Sequence, residues 1–147
     1  MKKILMTLGM ATVIAVAGSI VVAQSQEESA KKDDLIFASA EKATFKEVSP
    51  GVSKAAVWGD EEKGAYGAFT KFKPGLDNGM HTHTNDIWVV GINGAYLYRD
   101  EAGEKRVTAG NFMRIPGGKK HWSGGDKKAG ALFYEESSGK FDIVPVK

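Results

Sequence analysis

His81, His83 and His121 are the only histidines in a 147-residue chain that contains no cysteine. His81 and His83 stand two apart, so on an extended strand both rings leave the same face. Two imidazoles at that spacing can approach one metal ion from adjacent corners. His121 follows after four expected strands, and a closed barrel could bring it opposite the pair. Neutral imidazole suits Zn, Fe, Ni and Cu. Taken alone, a His-x-His pair is equally a polar alternation on a surface strand, so the surroundings have to decide.

Other chemistries find little support. The lack of cysteine excludes thiolate metal sites and cysteine nucleophiles. No phosphate loop, nucleophile elbow or dinucleotide fingerprint is present. Glu135 and Glu136 are adjacent on an expected strand and face opposite ways, which does not suit a carboxylate pair. Neither a free histidine nor an unambiguous carboxylate offers a general base, which counts against hydrolysis by a metal-activated water and leaves oxygen chemistry open. Arg114 and Lys71 are expected on outward faces, and Lys119-Lys120 and Lys127-Lys128 as exposed loop charges. The formal net charge is +2, without the clustered basic face that nucleic-acid binding needs. Trp88, Trp122, Tyr96, Tyr98, Phe112 and Phe133 are expected to line or seal the core, with Trp122 near a cavity mouth.

The spacing around the histidines is more specific than the histidines themselves. From Gly75 the chain reads G-x5-H-x-H-x10-G, ending at Gly94. From Gly110 it reads G-x5-P-x-G-x2-H, through Pro116 and Gly118 to His121. These two patterns, in this order, resemble the first and second motifs of the cupin superfamily. The stretch from Trp58 to Thr84 is also similar to small, poorly characterised cupins related to the zinc-binding cupin domain of anti-sigma factors. The resemblance implies an all-β fold, a single antiparallel β-barrel or jelly roll (a double-stranded β-helix of RmlC-like type). It implies one divalent metal ion (Fe, Mn, Zn, Ni or Cu) held by His81, His83 and His121, and a small-molecule ligand in the barrel cavity.

Two positions depart from the family pattern. The glutamate ligand of the first motif is replaced by Ile87 or Trp88. Asp86 is the nearest carboxylate, but its parity is opposite to that of His83, so it should point outward unless a bulge rotates it. Gly125 stands where the second motif usually ends in Asn. The expected shell is therefore three neutral imidazoles without a carboxylate, which favours an anionic or enolisable ligand. An octahedral Fe(II) or Mn(II) would keep up to three cis positions open, and a tetrahedral Zn one. Three-histidine cupins are associated with dioxygenases, so the resemblance implies a metal-dependent dioxygenase of a small anionic or diketone-like molecule. A non-catalytic metal- or ligand-binding module, or a sensor cupin, is the other reading.

The elements that must position these residues are short β-strands closed by Gly, Pro, Asn or Asp every eight to twelve residues. Strands are expected at Thr44–Val48, Lys54–Trp58, Tyr66–Lys73, Asp86–Ile92, Ala95–Arg99, Lys105–Thr108, Asn111–Ile115, Ala131–Glu135 and Phe141–Val144. Asn93-Gly94 reads as a type I′ hairpin turn, residues 100–104 as a longer hairpin loop, and Gly118 as a tight turn before His121.

The N-terminus carries a separate signal. Met1-Lys2-Lys3 is followed by an uncharged, mainly apolar run from Ile4 to Val22, then by small residues ahead of Gln24. This is the pattern of a signal peptide over residues 1–23 cleaved after Ala23; an uncleaved membrane anchor is the alternative. Cleavage removes Lys2 and Lys3 and leaves eighteen basic against eighteen acidic residues. Residues 24–40 read as a polar leader and 41–147 as the cupin domain. The expected location is periplasmic or secreted, with no membrane attachment after cleavage; a homodimer is allowed.

Overall fold

The computed structural model describes residues 35–146. The expected signal segment and most of the polar leader lie outside them. Among the described residues there is no helix. Eleven strands form: β1 (Lys46–Ser49), β2 (Val52–Gly59), β3 (Tyr66–Phe72), β4 (Asp77–Thr82), β5 (Ile87–Gly94), β6 (Tyr96–Asp100), β7 (Gly103–Val107), β8 (Phe112–Ile115), β9 (His121–Gly125), β10 (Ala131–Ser137) and β11 (Val144–Pro145). They make two antiparallel sheets, ordered β1-β2-β3-β10-β5-β8 and β11-β4-β9-β6-β7. This is a jelly roll, as the motifs implied.

Period-two alternation builds the core between the sheets. Along β10, Ala131, Phe133, Glu135 and Ser137 are buried while Leu132, Tyr134 and Glu136 are less so. Val52, Phe72, Ile87, Val89, Tyr96 and Phe133 belong to one apolar cluster drawn from both sheets. Full burial of a side chain such as Phe133 or Val89 contributes about 1.5–3 kcal/mol each. Of the aromatics expected in the core, Tyr96, Tyr98 and Phe133 are there, but Phe112 is 65% exposed. Phe112 sits on edge strand β8, on the parity opposite to buried Ile115.

The structure corrects three local expectations. Asn93-Gly94 is not a hairpin turn, because β5 and β6 lie in different sheets. A type I′ turn needs positive φ at both residues, and only Gly94 has it, at 64°. Gly94 instead carries the chain across between sheets, pressed against the Gly130 carbonyl, which a Cβ would meet at 2.3 Å. The loop between β6 and β7 is tighter than expected, since Asp100 already pairs with Gly103. At the C-terminus only Val144–Pro145 is a strand, pairing with Thr82 and His81 of β4; residues 138–143 run as a strap.

Strands β4 and β9 are not among the expected strands, although the His81–His83 pair is expected on an extended segment. β4 reads as a turn because Asn78-Gly79 interrupts it, and the ladder is indeed bulged between Asp77 and Met80. β9 ends in two glycines because neighbouring backbone comes too close for a side chain: a Cβ on Gly124 would meet the Leu76 carbonyl at 2.4 Å. These two strands pair with each other, and their register sets His81 directly opposite His121.

Candidate metal centre

The two histidine-bearing segments are locked together by backbone. His81 lies on β4 and His83 just past its end, while His121 opens β9. The turn through Pro116 and Gly118 docks on the first motif, with the Gly118 amide donating to the His83 carbonyl at 2.7 Å. All three histidines are buried, and their ring centroids lie 4.3–5.3 Å apart.

Hydrogen bonds select one tautomer at all three rings. Nδ1 of His81 faces the Gly79 carbonyl at 2.9 Å, Nδ1 of His83 the Asp142 carbonyl at 2.5 Å, and Nδ1 of His121 the Lys119 carbonyl at 2.9 Å. A carbonyl only accepts, so each Nδ1 carries the proton and each Nε2 keeps a lone pair. One ligand atom from each ring lies within 4.8 Å of the other two. Nε2 of His121 is buried and has no hydrogen-bond partner among the described residues. Leaving a buried acceptor unsatisfied costs about 1–3 kcal/mol, so this position is built for something that accepts a lone pair.

Burial keeps two of the rings, His81 and His121, neutral. Burial pulls the His81 pKa down, with His83 adding to the effect against the Gly79 carbonyl. Burial brings His121 down from 6.5 to about 4, and the neighbouring histidines add to it against the Lys119 carbonyl and Asp100. At neutral pH both offer lone pairs and not protons. Tyr98 stacks on His121 with centroids 5.2 Å apart, its hydroxyl donating to Asp100 at 2.9 Å. Lys119, whose carbonyl orients His121, also pairs with Asp100 at 3.1 Å. On the other side, Asp142 takes two hydrogen bonds from Thr84, so the strap that orients His83 is itself tied down.

Asp86 stands where parity put it. Its carboxylate accepts two hydrogen bonds from Arg114, at 2.8 and 2.6 Å, and one from the Gly117 amide at 2.9 Å. It braces the second-motif turn from outside and is no member of the histidine cluster. Ile87 is buried and lines the same cavity as His81 and His83. Arg114 faces outward as expected, and Lys71 covers the Phe45 ring at 3.7 Å. Trp122 is not at the cavity mouth: it lies under Arg99 and donates to Asp77 at 2.6 Å.

His81 and His83 open into a cavity of about 570 Å³. The cavity wall also holds a cluster that sequence reasoning missed. Lys54 and Glu135 are buried, with Lys54 Nζ 2.9 Å from Glu135 Oε1 and 2.6 Å from Glu61 Oε2. The Tyr66 hydroxyl donates to Glu135 Oε1 at 2.5 Å. Lys54 also sits over the Phe141 ring at 3.7 Å. Burial would lower the Lys54 pKa, but Glu135 and Glu61 outweigh it and raise it. Burial and Glu135 push the Tyr66 phenol far above its ordinary range. A buried carboxylate, Glu135, thus lines the cavity where none was expected to offer a general base. The signal was present: Glu135 continues the inward stripe of Ala131 and Phe133, where a charged residue requires a reason.

Residues 35–147 match the family described as "Domain of unknown function (DUF4437)". The chain belongs to this family. No curated protein matches the chain. Among solved structures, an RmlC-like cupin from Shewanella frigidimarina is similar at 18% identity and a TM-score of 0.55, over 69% of this chain and 89% of that one. The polyketide cyclase RemF from Streptomyces resistomycificus is similar at 13% identity and a TM-score of 0.63, over 78% and 87%. Salicylate 1,2-dioxygenase from Pseudoaminobacter salicylatoxidans is similar at 14% identity and a TM-score of 0.51, over 65% of this chain and 31% of that one. These likenesses establish the cupin fold. They do not bear on the expected kinship with anti-sigma-factor cupins.

Proposed function

We propose that this DUF4437 protein is an exported, mononuclear metal-dependent cupin that acts on a small anionic or diketone-like molecule, with His81, His83 and His121 as the metal ligands. The observation that carries the reading is the buried, unpartnered Nε2 of His121 among three rings whose Nδ1 atoms are all committed to carbonyls. The donor set fits Fe, Mn, Zn, Ni or Cu. A bound divalent ion would supply Lewis acidity, and a redox-active one would add dioxygen chemistry. The chain's own part is to orient the rings through three carbonyls, to keep His81 and His121 unprotonated by burial, and to give the ligand a cavity lined by His81 and His83.

A dioxygenase is the finer reading, supported by the absence of a protein carboxylate in the histidine cluster and by one neighbour of this fold named as a dioxygenase. The buried Lys54–Glu135 pair favours an enzyme over a passive binding module. Two buried charges cost several kcal/mol in desolvation, and the cavity wall is where they are kept. The test is elemental analysis of the purified mature protein, followed by oxygen uptake with acetylacetone as a probe substrate. About one divalent ion per chain is expected, as one cage implies, and it should be lost in His81→Ala, His83→Ala and His121→Ala. Unchanged metal content in all three variants would sink the site. A metal-loaded protein that binds the probe without consuming dioxygen or altering the probe would leave the non-catalytic module.

A further inference from the structure

Glu135 is the one acidic side chain that is buried among the described residues, and it lines the cavity that His81 and His83 open into. Both of its hydrogen bonds fall on Oε1, from Lys54 and from Tyr66, so Oε2 has no protein partner among the described residues. A carboxylate with one oxygen anchored by two donors is rigidly aimed, and its second oxygen is free for a ligand.

The pairing of Lys54 is what makes this group more than a structural ion pair. Lys54 has two counter-ions, Glu135 and Glu61. If Glu135 takes up a proton, the buried ammonium keeps Glu61 at 2.6 Å and the ring of Phe141 beneath it. Neutralising one partner of a simple buried pair strands the other charge without compensation; here Glu61 remains to compensate it. Tyr66, far too weak an acid to compete, remains a donor to Oε1 in either state.

We propose that Glu135 is the proton acceptor for a ligand held at the histidine cluster, and that the ligand belongs to the small, chelating C–H or O–H acids, such as 1,3-dicarbonyls and α-hydroxy ketones. This rests on the metal-site reading above. The ligand enters as the neutral acid. Its C–H or O–H bond breaks, the proton forms an O–H bond on Glu135 Oε2, and the electron pair stays on the ligand as an enolate or alkoxide. No oxidant or co-reactant is needed. The negative charge passes from Glu135 to the ligand, where a divalent ion held by the histidines would favour it. The other ionisable groups around Glu135 are Lys54 from β2, Glu61 from the β2–β3 loop, Tyr66 from β3 and Tyr96 from β6, with His81 and His83 elsewhere on the cavity wall.

The test separates the base from the metal. Zinc-loaded protein is titrated with acetylacetone by calorimetry in buffers of different ionisation enthalpy, with the enolate followed by its ultraviolet absorbance and zinc content measured alongside. Wild type is expected to bind the diketone as enolate without releasing a proton to the buffer. Glu135→Gln should keep its zinc but release about one proton per ligand, its affinity rising about tenfold per pH unit below the diketone pKa. Because Glu135→Gln alters a buried charge, Lys54→Met/Glu135→Gln, which removes both charges, serves as the second variant with the same expectation. Equal proton release in wild type and in either folded, zinc-loaded variant would overturn the proposal. Loss of enolate binding in His121→Ala with retention in Glu135→Gln would support both readings. Wild type without zinc, or enolate binding that survives His121→Ala, would overturn the metal site and with it this proposal.

Discussion

Acid should destabilise the metal-free protein through His121 and His81 at a higher pH than that at which Asp86 and Asp77 act. His121 is fully buried, and its pKa falls from 6.5 in the unfolded chain to about 4 in the fold. The folded state therefore binds fewer protons than the unfolded one between those values. Stability is present in full above pH 6.5 and is lost as the pH falls toward 4. Integrating that difference from about pH 7.5 to about pH 4.5 gives a loss of about 2.5 kcal/mol for His121 alone, and His81, lowered in the same direction, adds to it. The aspartates with lowered pKa values, such as Asp86 and Asp77, begin to matter only below their ordinary 3.8, so the two windows are separate. The assay is urea denaturation of apo protein across this range, for wild type and His121→Gln. Wild type should lose on the order of a quarter of a typical domain's stability, and the variant should show a pH slope shallower by one proton. Saturating zinc at neutral pH should add about 2.7 kcal/mol at a hundred times its dissociation constant. An identical pH slope in His121→Gln would show that the imidazole does not carry the acid sensitivity, and the argument from burial would fail.

Three further outcomes are expected. Ile87→Glu, on the cavity wall beside His81 and His83, should add a fourth ligand, tightening zinc and weakening azide or acetate together; equal anion affinity in the zinc-loaded proteins would place Ile87 away from the ion. Asp86→Asn should leave zinc affinity within a small factor of wild type, because Asp86 binds Arg114 and Gly117 and not the histidines; a loss as large as in His83→Ala would contradict that geometry. N-terminal sequencing of the exported protein should begin at or near Gln24, whereas full-length protein in the membrane fraction would point to an anchor.

The motif spacing makes the fold and the three histidines legible in the sequence, because cupin turns need glycine and proline at set distances from the ligands. Parity alone placed Asp86 outside and Ile87 inside, since side-chain direction along a strand alternates without regard to what lies across the sheet. Strands with ordinary β composition, such as β3, β5 and β10, were read within a few residues of their bounds. β4 and β9 were not, because Asn78-Gly79 in one and Gly124-Gly125 in the other mark a bulge and a close backbone approach, which local propensity reads as turns.

The sequence by itself thus determined the strand periodicity, the motif spacing and the direction of each side chain relative to its own strand. Tertiary structure alone decided which strands meet. The Asn93-Gly94 segment shows the difference: its local chemistry suits a hairpin, yet β5 pairs with β10 and β8, and β6 with β7 and β9. Glu135 shows it at the site. That it faced inward could be read from β10, but its partners lie 69 residues away at Tyr66 and 81 residues away at Lys54. A buried charge takes its character from whatever is packed around it, and such neighbours are set by sheet order and register, which no local pattern encodes.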